Sequence, residues 1–358
     1  LMRTDNQLSH KELKFLIKKC YKTKQALFIH GHPGIGKSSV VREASKELSN
    51  ELDLNYSEDE IEDGKFGFID VRLSQLDPTD IRGIPIIHEN RVSWSTPSFL
   101  PQNPTGTGIL FLDELNLAPP LTQASAQQLV LDRKIGDYRL PNDWLVVAAG
   151  NLLDDKANIF DLSAPLANRF IHAELKVPSI EDWTNWALKN TLDERIIAYL
   201  NYKPSSLFMF DENTKSQSFP TPRSWKFCSD IVRNESNEDN VLLLSYSSVG
   251  SIAYDFMAFV KVAKKIDLQK LLKNPKLVEE IIEPSIKFNI LSGFAELYRR
   301  DKKLRDKILG TCDYMQAEFG ILLLRFLRGQ DRDDWSKRMM ASDIGGELLM
   351  KYGKYVAD

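Results

Sequence analysis

The stretch HGHPGIGKSSV, His30 to Val40, decides how this chain folds. Glycines at 31, 34 and 36 crowd around Pro33, and Lys37, Ser38 and Ser39 follow at once. Gly31 to Ser38 matches the pattern GxxxxGK(S/T) at every fixed position. Before it stands a short apolar run, Ala26 to Ile29 (ALFI), which reads as a buried strand. After it, Val40 to Leu48 has helical spacing. A strand, a glycine loop and a helix in that order make a phosphate cradle, because backbone N–H groups must converge on phosphate oxygens without bulky side chains in the way. The helix N-terminus adds partial positive charge. The contact set is then Gly31, Pro33, Gly34, Ile35, Gly36, Lys37, Ser38 and Ser39, with Lys37 reaching the β- and γ-phosphates and Ser38 Oγ on Mg2+. The competing reading, a glycine turn with an accidental lysine, does not account for the strand and helix on either side.

Working outward, the first half alternates short apolar runs with helical patterns, which is the mark of a parallel sheet with crossovers. Leu8 to Cys20 reads as an amphipathic helix. Phe66 to Val71 (FGFIDV), Ile109 to Asp113 (ILFLD), Trp144 to Ala149 (WLVVAA) and Phe170 to Leu175 (FIHAEL) read as further strands. The acidic stretch from Glu51 to Gly64 reads as a solvated excursion. Two segments, 84–94 around a polar HEN turn and 134–143, read as hairpins.

Strand ends in an open parallel sheet project into the ligand crevice. ILFLDE therefore sets Asp113 to hold Mg2+ through its water shell and Glu114 to orient and deprotonate an attacking water. Asn151, at the tip of the next strand, offers an uncharged amide to that water or to the γ-phosphate. An asparagine after glycine also commonly just satisfies a turn.

Composition narrows the classes. With 358 residues and 42% hydrophobic content, the chain can bury one large core or two moderate ones. A net charge of −3 argues against a dedicated polyanion binder. Cys20, Cys228 and Cys312 are too scattered for a disulfide framework or a zinc site. No apolar run approaches the roughly 18–20 residues a membrane span needs, and no signal-peptide core is evident, so a cytoplasmic protein is expected. The five histidines show no metal-ligand spacing. The basic runs Lys11 to Lys24 and Tyr298 to Lys307 read as solvated helix faces.

Beyond about residue 178 strand signals give way to helical spacing, in DWTNWAL, RIIAYL, SWKFCSDIV, YDFMAFVKVA, LVEEII and FGILLLRFL. A polar break, RNESNEDN, falls at 233–240, and Trp183 and Trp186 read as core. The expected organisation is an α/β nucleotide-binding domain over 1–177 and a helical lid and C-terminal region over 178–358.

With those residues in place, the chain resembles the AAA+ ATPases, and within them the MoxR-type branch. The glycine loop resembles Walker A, ILFLDE resembles Walker B, and Asn151 falls where the family has its first sensor. The two hairpins sit where the family carries insertions. DELNLAPP is similar to the MoxR-type DEINRAPP, with Leu117 in place of the arginine. SAPLANRF resembles the LxxRF segment, which makes Arg169 the candidate arginine finger, acting on a neighbouring subunit's nucleotide. A surface arginine in an ion pair is the plainer account of the same residue. TPRSW resembles the second sensor, with Thr221 as N-cap, Pro222 at the first helical position and Arg223 reaching the nucleotide from the lid.

The resemblance implies a P-loop NTPase fold of the AAA+ type and Mg2+-dependent ATP hydrolysis. It also implies a homo-oligomeric ring, typically a hexamer, and chaperone-like remodelling of a client, often beside a separate partner with a von Willebrand factor A domain. One alternative is a nucleic-acid motor of the restriction type, able to prefer GTP, which Arg91, Arg133, Lys134 and Arg139 on the hairpins would favour. Another is a nucleotide-gated scaffold with little turnover.

Overall fold

The computed structural model describes residues 7–58, 64–152, 159–210, 216–263, 265–331 and 334–356. The chain falls into two compact units, Leu1–Val177 and Pro178–Asp358.

The first unit is built on a seven-stranded sheet. Its strands are β1 (Gln7–Leu8), β2 (Leu27–His30), β3 (Asn55–Glu58), β4 (Lys65–Arg72), β7 (Thr107–Asp113), β10 (Asp143–Gly150) and β11 (Ile171–Leu175). Two hairpins, β5 (Pro85–His88) with β6 (Arg91–Trp94) and β8 (Lys134–Ile135) with β9 (Tyr138–Arg139), stand outside it. The sheet order is β1-β11-β2-β10-β7-β4-β3, and every pair is parallel. Leu27, Phe28, Ile29, Ile109 to Leu112 and Leu145 to Ala149 are all buried, as parallel strands covered on both faces require. The flanking helices are α1 (His10–Thr23), α2 (Lys37–Glu51), α3 (Pro78–Arg82), α4 (Pro120–Asp132) and α5 (Ala164–Ala167). A P-loop strand, β2, flanked by β10 and β11, with β7 and β4 beyond β10, is the α/β P-loop NTPase fold of the AAA+ type.

Local chemistry sets the helix ends. Ser9 and Glu12 form a capping box at the start of α1, with the Glu12 carboxylate accepting from the Ser9 N–H at 2.9 Å. The basic face of α1 turns to α2, where Lys14 Nζ meets Glu47 at 2.7 Å and Lys18 Nζ meets Glu51 at 2.9 Å. These lysines are neutralised within the unit rather than presented as a polyanion site.

Three expectations need correction. Within the acidic stretch, Asn55–Glu58 is an edge strand on Lys65–Phe68; 59–63 lies outside the described residues. NYSE has no apolar alternation because an edge strand this exposed has little to bury. LVEEII is not an α-helix: a short 3-10 turn at Pro275–Val278 ends there, and Pro284 holds Glu283 extended before the next helix. Part of RNESNEDN is helical, since the Asn237 side chain caps a helix that starts at Glu238.

The second unit is helical. It runs through α6 (Ile180–Lys189), α7 (Glu194–Tyr202), α8 (Pro222–Val232), α9 (Glu238–Val249), α10 (Ile252–Ala263) and α11 (Leu268–Lys273). It continues with α12 (Pro284–Arg300), α13 (Arg305–Leu309), α14 (Ala317–Asp331), α15 (Trp335–Met340) and α16 (Asp343–Val356). Its core gathers Trp225, Tyr199, Phe256, Phe294 and Phe326, with Trp183 buried and Trp186 packed at the margin. The second basic run is also answered internally, with Lys302 and Arg338 on the buried Asp331 and Arg300 on Glu296. Among the described residues no helix is long and apolar enough to cross a membrane.

Candidate nucleotide-binding site

Register brings the chemistry to one edge of the sheet. Gly150 pairs with His30, and Leu112 with Ala148, so the segments after β2, β10 and β7 emerge side by side. Those segments carry the glycine loop, Asn151, and Asp113 with Glu114.

The loop turns through left-handed backbone at Gly34 (φ 78°) and Gly36 (φ 99°), which side chains other than glycine's seldom adopt. Helix α2 then starts at Lys37 with Gly36 as its N-cap and no side-chain cap. The N–H groups of its first turn, at Lys37, Ser38 and Ser39, have no acceptor within the helix and face the loop. His10, at the start of α1, holds the loop from outside, its Nε2 lying 2.9 Å from the Ile35 carbonyl.

Lys37 is buried, and its ammonium donates to Gly31 O at 2.5 Å, His32 O at 3.1 Å and Asn151 Oδ1 at 2.9 Å. A lysine gathered in this way holds a compact positive charge beside the loop. The backbone of Asn151 is clamped in turn by Asn116. The Asn116 amide donates to Asn151 O at 2.8 Å, and its carbonyl accepts from Asn151 N at 3.1 Å.

Ser38 Oγ donates to Asp113 Oδ2 at 3.0 Å, and the Glu114 N–H donates to Asp113 Oδ1 at 2.9 Å. A hydroxyl and an oriented carboxylate side by side form the hard oxygen donor set that Mg2+ takes, so these residues fit the ion the fold implies. Among the described residues no group of three or more His, Cys, Asp or Glu side chains is placed to hold a metal, so the rest of the shell would come from phosphate and water. Glu114 adopts left-handed backbone (φ 57°, ψ 33°), and its Oε2 accepts a close hydrogen bond from Ser74 Oγ. Leu117, half-buried, closes the 3-10 turn that follows.

The resemblance also named two arginines, one in each unit. Arg169 is exposed between α5 and β11, and among the described residues its guanidinium makes no hydrogen bond or ion pair. Arg223 is exposed in the first turn of α8, in the second unit, where Thr221 caps the helix and accepts from Ser224 N at 3.0 Å.

Sequence reading missed Asn116, Ser74 and His10, and it missed a pair of histidines. His30 Nε2 lies 2.9 Å from His172 Nδ1, an adjacency created by the pairing of β2 with β11. Burial, then His172, then Lys37 push His30 down to about 4. Only Asn116 carried a visible signal, its place two residues after Glu114.

No family model and no curated protein matches the chain. Among solved structures it is similar to a RuvB variant from Thermotoga maritima, at 16% identity over 73% of this chain and 76% of that chain, with a TM-score of 0.37. It is also similar to NtrX from Brucella abortus in complex with ATP, at 15% identity over 85% and 69%, with a TM-score of 0.38. PCH-2 from C. elegans gives 13% identity over 80% and 67%, with a TM-score of 0.31. The likenesses are distant, and the fold rests on the strand order and the loop.

Proposed function

We propose that the chain is a Mg2+-dependent ATPase of the AAA+ type that assembles as a homo-oligomeric ring, in the commonest case a hexamer. Its turnover would drive chaperone-like remodelling of a client or of a partner with a von Willebrand factor A domain, as the MoxR-type resemblance implies. The observation that carries the reading is the junction at Lys37, where one ammonium joins the glycine loop to Asn151 beside the Ser38–Asp113 pair.

The loop N–H groups and Lys37 bind and orient the β- and γ-phosphates. Ser38 and Asp113 would hold Mg2+, which when bound neutralises charge on the phosphate oxygens. Glu114, once released by Ser74, orients the attacking water and accepts its proton. Asn151 orients the same water or the γ-phosphate without adding charge. Arg169 reaches a neighbour's nucleotide and Arg223 acts from the lid; both assignments follow the resemblance.

A nucleic-acid motor finds less support. Of the hairpin cations, Arg133 is turned inward, donating to Pro141 O at 2.6 Å and Trp144 O at 2.7 Å. A cytoplasmic setting agrees with three cysteines that are free and buried, their thiols pushed up by burial to about 11 at Cys20 and about 12 at Cys228 and Cys312.

Mixing tests the shared site. Arg169→Ala and Glu114→Gln each lose turnover alone, while a co-assembled mixture regains part of it, because intact sites then meet intact arginines. A mixture that co-assembles by sizing and stays inactive overturns the shared-site reading.

A further inference from the structure

We propose that His30 and His172 form a hydrogen-bonded link carrying the state of the phosphate loop to the segment that bears Arg169, so that both act as positioning residues. The inference rests on the reading of the loop as a nucleotide site.

Both ends of the link are anchored. His30 directly precedes Gly31, whose carbonyl takes a proton of Lys37 at 2.5 Å. His172 Nε2 lies 2.8 Å from the carbonyl of Ala167, the last residue of α5. A carbonyl only accepts, so this nitrogen carries the proton, and in the tautomer with that single proton Nδ1 accepts from His30 Nε2–H. The direction of donation is thereby fixed along the whole path, from loop strand to His172 to α5. Arg169 follows two residues after Ala167, and that short interval is held by Phe170 N–H on Ala167 O at 3.2 Å. The Ala167 carbonyl is therefore the point on which the arginine's backbone turn and His172 both bear.

The rings have little freedom to slip. They lie 5.2 Å apart between centroids at 24°, with Phe28 4.4 Å from His30 and Phe170 closing the cluster 5.6 Å from Phe28. Packing alone would be met by any aromatic ring at 172. The nitrogens add a direction that packing does not need, and they connect two segments with different tasks, one holding phosphate and one presenting a cation.

Hydrogen–deuterium exchange on the full chain, with and without ATP and Mg2+, tests the link. His172→Phe keeps a ring and removes both hydrogen bonds. His30→Gln keeps an amide N–H the same number of bonds from Cα, and so preserves the donor. In the wild type ATP should slow exchange at 31–40 and also at 164–170, the latter by about fivefold, the low end of ordinary coupling between sites. His30→Gln should keep both effects, and His172→Phe should keep only the first. Should His172→Phe fail to fold, His30→Leu removes the donor from the other side and should give the same pattern. Protection at 164–170 that survives His172→Phe, or that His30→Gln abolishes equally, overturns the link. Wild-type protection at 31–40 alone overturns it as well. No protection at 31–40 in the wild type overturns the nucleotide-site reading, and the link falls with it.

Discussion

Replacing Asn116 by alanine tests whether the site is positioned from below. Asn116 is buried and makes two hydrogen bonds to the backbone of Asn151, at 2.8 and 3.1 Å. Each is worth about 1 kcal/mol net, so their loss costs about 2 kcal/mol. For a unit of this size that lowers the melting temperature by roughly 4–8 °C. The larger effect falls on chemistry. Among the described residues Asn151 then keeps its side-chain contact to Lys37 alone, and a slip of about 1 Å at a positioning group costs about 100-fold in rate. Lys37 retains its bonds to Gly31 and His32, so affinity for ATP should change much less than turnover. Thermal melts, steady-state phosphate release and an ATP titration read the three quantities separately. A variant that melts lower yet turns over at the wild-type rate would refute the reasoning, because the clamp would then serve stability alone.

Three further outcomes are expected. Arg133→Ala removes the guanidinium from the carbonyls of Pro141, which keeps the Trp144 N–H at 3.1 Å, and Trp144, and should lower stability by about 1–3 kcal/mol in a urea melt; an unchanged midpoint contradicts this. Gly83→Ala would set a Cβ 1.7 Å from the Ser95 carbonyl at a φ of 82°, which should loosen the β5–β6 hairpin and speed limited proteolysis within 84–95, and unchanged cleavage contradicts it. His30 supplies a pH dependence. Between pH 6.5 and about 4 the unfolded chain takes up a proton that the folded imidazole refuses, so this contribution to stability is lost as pH falls through that window. His30→Gln should flatten the change in melting temperature there, and parallel curves would show that the ring's burial has no such effect.

The sheet was legible because its strands are near-continuous apolar runs, and Leu27 to Ile29 or Leu145 to Ala149 admit few other readings. The loop was legible because a phosphate cradle needs glycine and lysine at fixed spacing. Edge elements were not, since β1 and β3 bury little and their polar sequences resemble loops. LVEEII failed for a related reason: its apolar spacing suits a helix, but only Pro284 downstream says that the chain must stay extended at Glu283. Within the site, residues on strand ends could be read, while those meeting across strands could not. Asn116 with Asn151, Ser74 with Glu114 and His30 with His172 lie 35, 40 and 142 positions apart, and sheet order alone makes them neighbours.

Phosphate release from ATP in the presence of Mg2+, measured for the wild type and for Glu114→Gln beside matched ATP titrations, tests the central claim most directly. The account predicts turnover in the wild type, a fall of about 100- to 10,000-fold in the variant, and ATP binding that persists in both. Equal, negligible rates from two proteins that bind ATP equally well would contradict it.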